Sequence, residues 1–291
     1  MELTPSAIRD QVRAALSEDC ACSDATSLAV VPELALATGR VVARAHGVLS
    51  GRSFAEAAFQ LCDSAVELTW LKSDGARVAP NEEILHCAGT ARGLLAAERT
   101  ALNFMQQLGG VATLTAKAVA AAGEVLVLDT RKTVPGLRDA QKAAVVHGGG
   151  VNHRRDLQDQ LLLKENHFSL SGLDYAATVT KAIEQSEGRP VGIEAETIEQ
   201  AEWALHAGAH FVMLDNFHGQ ALIDAVAHLR SQFPDAVLEA SGGYTVSTVA
   251  DLVNSGVTRV SLGAFTHSAP ALDLSFYLTP VIPGGTTPLH G

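Results

Sequence analysis

From Gly123 onward, short apolar runs alternate with amphipathic stretches. The runs are "EVLVLD", "QLLLK", "VGIEAE", "FVMLD", "AVLEAS" and "RVSLG", which reach Asp129, Lys164, Glu196, Asp215, Ser241 and Gly263. Each is too short for a helix and stops at a polar residue or glycine, so each predicts a strand. Between them, Leu173–Glu187, Ile198–Ala207, Gln220–Ser231 and Thr245–Ser255 carry apolar residues at helical spacing. Trp203, within the second of these, reads as packing. The repetition predicts βα units around a parallel sheet, closed as a barrel or left open as a doubly wound layer.

Before Gly123 the rhythm is different. A helix over Ile8–Ser17 is followed by strand-like "GRVVARAHGVLSG" and "AVELTWL", turn punctuation at "SDG" and "AGT", and an Ala/Leu-rich helix. This predicts a small α+β domain, with a boundary near the change of rhythm.

The 291 residues hold 21 Lys and Arg against 32 Asp and Glu, a formal net charge of -11. An acidic surface disfavours nucleic acid and anionic membranes, which require an extended basic face. No run approaches the roughly 20 apolar residues of a spanning helix, and "MELTPSAIRD" lacks a basic head before an apolar run, so a cytoplasmic protein is expected. Cys20, Cys22, Cys62 and Cys87 form no paired C-x-x-C motif and read as reduced thiols.

Against that background, "LDTRKTVPGLRDAQKAAVVHGGGVNHRRDL" is a local concentration of cations. In a parallel barrel the carboxyl ends of the strands share one mouth, which gathers Asp129, Arg131, Lys132, Lys164, Glu194, Asp215, Ser241 and Gly263. Arginine forks and lysine point charges suit a polyanion. Glu194 and Asp215 suit Mg²⁺, which accepts one or two carboxylates and fills its shell with water or phosphate; they equally balance nearby cations. "ASGGYT" follows a strand and opens the helix expected at Thr245–Ser255, so the amides of Gly242 and Gly243 suit a phosphate with a helix dipole behind them. Gly263 repeats the device. His153 beside Arg154 is a hydrogen-bond or proton donor near neutral pH. These features predict a metal-dependent barrel enzyme acting on a phosphorylated anion.

Several motifs, "DTRKTVPG", "GGGVNHR", "LLLKENH", "IEAE", "VMLDNF", "LEASGGYT" and "VSLGAFTHS", with "LSEDCACSDATS" and "AERTALNFMQQLGG" earlier, resemble quinolinate phosphoribosyltransferase in the order of that family. The resemblance implies a small N-terminal α/β sandwich (1–115, rejoined by a tail from about 272 to 291) and an incomplete parallel α/β barrel of type II phosphoribosyltransferase form (116–271). It implies transfer of phosphoribosyl from phosphoribosyl pyrophosphate to quinolinate, with loss of pyrophosphate and CO₂, giving nicotinate mononucleotide, with Mg²⁺ required. Arg131, His153, Arg154 and Lys164 would surround the quinolinate dicarboxylate, with Thr130 and Lys132 beside them. Glu194 and Asp215 would hold the metal and ribose hydroxyls. Ser241, Gly242, Gly243 and Gly263 would cradle the 5-phosphate, with His267 nearby. Arg99 would enter the neighbouring subunit's site, making a homodimer that can assemble further.

The chain departs from the family pattern at several points. Gly192 replaces the first Glu of a frequent Glu-x-Glu pair, Ala144 a frequent Tyr, His147 a frequent Cys and Glu165 an Asp, and "EDCACSDATS" lacks a Gly. Two alternatives are a molybdenum-transport paralogue, which usually has Pro at the position of Asn152, and a non-catalytic ligand-binding relative.

Overall fold

The structure, a computed structural model, describes residues 3–282. The chain divides into two compact units, the first comprising the chain up to Thr113, Asp139–Gly148 and the chain from Ala269.

The first unit begins with helix α1 (Pro5–Glu18), where the Thr4 hydroxyl accepts from the Ala7 N–H and Pro5 occupies the first turn. Ile8, Val12 and Leu16 recur every fourth residue and form its buried stripe. There follow α2 (Ala25–Val30), β1 (Leu36–Ala43), β2 (Gly47–Val48), α3 (Arg52–Cys62), β3 (Glu67–Trp70), β4 (Arg77–Val78), β5 (Glu83–Thr90) and α4 (Ala91–Ala122), the last passing into the second unit. β1 and β5 lie at the centre of a four-stranded antiparallel sheet whose outer members are β3 and the chain's final strand, Leu274–Pro280. The tail therefore returns to this unit as far as it is described; residues 283–291 of the expected tail lie outside the described residues.

The second unit holds β6 (Leu126–Leu128); helix α5 (Arg138–His147) falls almost wholly in the first unit. The second unit resumes with β7 (Leu161–Leu163), α6 (Glu165–Ser171), α7 (Tyr175–Glu184), β8 (Val191–Ala195), α8 (Ile198–His206), β9 (Phe211–Asp215), α9 (Gly219–Gln232), β10 (Leu238–Ser241), β11 (Arg259–Ser261) and the single-turn α10 (Ala264–His267). Its strands are all parallel in the order β6-β11-β10-β9-β8-β7. β6 and β7 end the sheet without pairing with each other. On β6's outer side Val151 makes an isolated parallel bridge to Leu128, so a loop stands where closure would need a strand. This is the incomplete barrel of the expected fold class. Among the described residues no helix is long and apolar enough to cross a membrane.

The helical stretches differ from expectation in two places. The helix expected from Leu173 begins at Tyr175 and is preceded by α6, because Gly172 in the left-handed region (φ 70°) ends one helix and Asp174 caps the next. Thr245–Ser255 is not an α-helix: only a 3₁₀ segment, Val249–Leu252, forms there. Local hydroxyls compete with helical bonding, with Thr248 Oγ1 accepting from the Thr245 N–H at 3.0 Å and Thr245 Oγ1 lying 2.9 Å from Ser247 Oγ.

Candidate active site

The register of the parallel strands sets the site. Ser241 pairs with Asp215, Ala195 with Leu214, Leu163 with Ile193 and Ser261 with Leu128, so the strand ends are level. Alternation along each strand then places Gly192 and Glu194, Phe211, Met213 and Asp215, and Glu239 and Ser241 on common faces.

After β6, Asp129 is wholly buried and accepts the His153 backbone N–H at 2.8 Å. That bond ties the Val151–Arg154 loop to the strand. Thr130 Oγ1 accepts the Lys132 N–H at 3.0 Å, and Thr266 Oγ1 donates to the Lys132 carbonyl at 2.7 Å. Arg138 joins the two halves of the cationic segment. Its guanidinium donates to Thr133 Oγ1 at 3.1 Å and to the carbonyls of Arg131 and Arg155 at 3.4 and 3.5 Å.

Arg131 acts electrostatically on Arg154. The Arg154 pKa is lowered first by desolvation and second by Arg131, with Glu194 partly offsetting both. Arg131 Nε is buried without a hydrogen-bond partner. A cation that lowers the pKa of another, together with an unspent buried guanidinium donor, suits an anion.

Lys164 Nζ lies 2.6 Å from both oxygens of Glu194. Asp215 Oδ2 accepts from the Asn216 amide at 2.8 Å. Lys164, Glu194, Asp215 and Asn216 line a cavity of about 570 Å³ together with Glu196, Tyr175 and Gln200. Burial, and next the nearby Glu196, push the Tyr175 hydroxyl's pKa up. No cluster of three or more His, Cys, Asp or Glu suited to a metal occurs among the described residues. Two carboxylates without a protein cage still fit Mg²⁺, which draws most of its shell from water and phosphate.

Beyond β10, Gly242 and Gly243 both adopt positive φ, 82° and 67°. A Cβ on Gly242 would run into the side-chain oxygen of Asn216, itself left-handed at φ 61° and hydrogen-bonded through its N–H to the Ser241 carbonyl at 3.0 Å. The expected helix dipole behind this turn is absent, so any anion cradle here rests on the turn's own amides. Beyond β11, a Cβ on Gly263 would stand 3.0 Å from Lys132 Cδ and 3.2 Å from the His267 ring, so the bare backbone lets both side chains lie close. His267 Nδ1 is 2.6 Å from Ser268 Oγ.

The His153 side chain, 6% exposed, is directed into the barrel, with Nε2 3.6 Å from Glu239 Oε1. Glu239 is fully buried and its Oε2 lies 2.7 Å from Arg259 Nε. The Arg259 guanidinium sits 4.2 Å over the Phe211 ring, and that ring fills the space a side chain at Gly192 would need. Burial is the largest influence on Glu239 and raises its pKa, but His153, Arg259 and Ser261 together bring it below the ordinary value. Sequence reasoning passed over Glu239 and Arg259, although a charge at an inward position of an apolar strand was the available signal. Arg99 belongs to the first unit, on α4, with its side chain 57% exposed and 3.9 Å from Glu98.

The chain is similar to known proteins over most of its length. Residues 24–109 match the N-terminal domain, and residues 111–277 the C-terminal domain, of quinolinate phosphoribosyl transferase. The chain is 36% identical over 288 residues to the chloroplastic nicotinate-nucleotide pyrophosphorylase (carboxylating) of rice, covering 91% of this chain and 76% of that protein. It is 37% identical over 267 residues to the probable nicotinate-nucleotide pyrophosphorylase (carboxylating) of Bacillus subtilis, covering 90% of each. The solved nicotinate-nucleotide pyrophosphorylase of Francisella tularensis superposes with a TM-score of 0.90 at 37% identity, covering 96% of this chain and 98% of that one.

Proposed function

The chain belongs to the quinolinate phosphoribosyltransferase family, and from that premise we propose that it joins quinolinate to phosphoribosyl pyrophosphate. Pyrophosphate and CO₂ leave and nicotinate mononucleotide forms, a step of de novo NAD biosynthesis. The enzyme is thus a decarboxylating pentosyltransferase.

The observation that supports this assignment of the site is the buried, unpaired Nε donor of Arg131, which also acts electrostatically on Arg154. Quinolinate brings two carboxylates, and buried anions require fixed cations. Arg131, Arg154 and Lys164 supply them, with Thr130 beside Arg131 and His153 beneath Arg154. Lys164 must then divide itself between the substrate and Glu194.

Glu194 and Asp215 face the ribose, where positive character develops as pyrophosphate departs; carboxylates already in place stabilise that charge without reorganisation. The same pair would hold Mg²⁺, whose chemistry there is to neutralise the phosphates. Lys132, with Thr130, would stand beside the dicarboxylate as a further cation. Ser241, Gly242, Gly243 and Gly263 receive the 5-phosphate on backbone amides, with His267 alongside. After transfer the glycosylated ring nitrogen is cationic and stabilises the electron pair that CO₂ leaves on the neighbouring ring carbon until a proton takes the place of the lost carboxylate, while the protein holds the other carboxylate still. Arg99 would complete the site of a second subunit, making the working form a homodimer.

The test is direct. Purified protein with quinolinate, phosphoribosyl pyrophosphate and Mg²⁺ should yield nicotinate mononucleotide, CO₂ and pyrophosphate in equal amounts. Folded protein giving no product would overturn the assignment, and product from nicotinate but not quinolinate would move it to another reaction.

A further inference from the structure

We propose that Glu239, inside the barrel and below the reacting groups, is a positioning residue for the dicarboxylate site: it orients the His153 ring, which in turn fixes Arg154. The inference rests on the reading of Arg154 as a quinolinate ligand.

The argument begins at the His153 ring. Its Nδ1 lies 2.8 Å from the Arg154 backbone N–H and 3.2 Å from the Gln160 side-chain amide nitrogen. A ring nitrogen that accepts carries no hydrogen, so the ring proton belongs to Nε2. Nε2 faces Glu239 Oε1 at 3.6 Å, a Coulombic separation longer than a hydrogen bond. The carboxylate thus favours the tautomer that leaves Nδ1 free to accept from Arg154.

Glu239 is itself held. Arg259 Nε lies 2.7 Å from its other oxygen, and the Arg259 guanidinium rests on the Phe211 ring, for which Gly192 makes room. Contact therefore runs unbroken from Gly192 through Phe211, Arg259, Glu239 and His153 to the Arg154 backbone. A fully buried ion pair is weak support for stability alone, since apolar replacements of similar size often serve as well. Orientation of the loop above it accounts for its presence.

Two variants test this: Glu239→Gln, which keeps shape and removes charge, and the double variant Glu239→Leu with Arg259→Met, which removes both buried charges together. Each should melt as a folded protein and raise KM for quinolinate, by about tenfold in the double variant, while KM for phosphoribosyl pyrophosphate and kcat change far less. Arg154→Ala is the control. If Arg154→Ala raises the quinolinate KM and the folded double variant leaves it unchanged, the positioning role is wrong while the site reading stands. If Arg154→Ala leaves that KM unchanged, the site reading itself fails and takes the inference with it. Unfolding of both Glu239 variants would assign the residue to stability alone and equally overturn the proposal.

Discussion

Lys164 Nζ lies 2.6 Å from both carboxylate oxygens of Glu194, a two-point ion pair at the mouth of the barrel. The lysine is 40% exposed and the glutamate 15%, so water reaches the cation while the carboxylate is largely withdrawn from it. Removing the lysine withdraws a substrate cation and leaves a sheltered carboxylate uncompensated. Lys164→Ala should lower kcat/KM for quinolinate on the order of 100-fold, read by steady-state kinetics. Lys164→Arg should recover little, because a planar fork cannot take the place of a compact ammonium.

The Phe211 ring occupies the place of a Cβ at Gly192. Gly192→Ala should therefore destabilise the protein by about 1–3 kcal/mol through overpacking, measured by chemical denaturation. Adding Phe211→Leu should return much of that loss, and failure of the pair to couple would show that the two do not share the space.

Gly242 combines a φ of 82° with the closeness of Asn216. Gly242→Ala should weaken phosphoribosyl pyrophosphate binding about tenfold or more, since left-handed strain costs roughly 1–2 kcal/mol and the turn must also move. Quinolinate binding measured alone by calorimetry should be nearly untouched.

Arg99 gives a prediction about subunits. Arg99→Ala and Lys164→Ala proteins, each nearly inactive, should regain activity when mixed under conditions that exchange subunits, because one site in the mixed dimer is intact. Mixed dimers that stay inactive would mean self-contained sites.

The thiols give a prediction about pH. Burial pushes Cys62 and Cys87 up to about 11, with Cys22 and Asp63 adding to the shift at Cys62. Cys20 and Cys22 are exposed and should alkylate first at pH 8, as peptide mapping after brief iodoacetamide treatment would record. Because the folded thiols ionise later than unfolded ones near 9.0, their contribution to stability is intact below pH 9 and drains away as pH rises toward 11. Denaturation midpoints across that range should fall.

Much of this was legible in the sequence. The six parallel strands were visible because each is a short apolar run, and their polar ends pointed to the mouth. The hydroxyl-rich segment after Gly243 read as a helix because apolar spacing ignores competition from Thr245, Ser247 and Thr248 for backbone partners. The pairing of Gly192 with Phe211, and of Glu239 with Arg259, was hidden because each joins residues on neighbouring strands. The carbonyls that Arg138 holds belong to a loop whose path periodicity does not describe.

In the antiparallel sheet, Arg40 stands opposite Tyr277. An early and a late segment of the polypeptide thus become neighbours only after the whole parallel sheet between them has left the ribosome. During synthesis the barrel strands, complete by Ser261, have all their pairing partners first, while β1 presents an open edge until the last strand arrives. A nascent chain stalled before Leu274 would expose that edge to other chains.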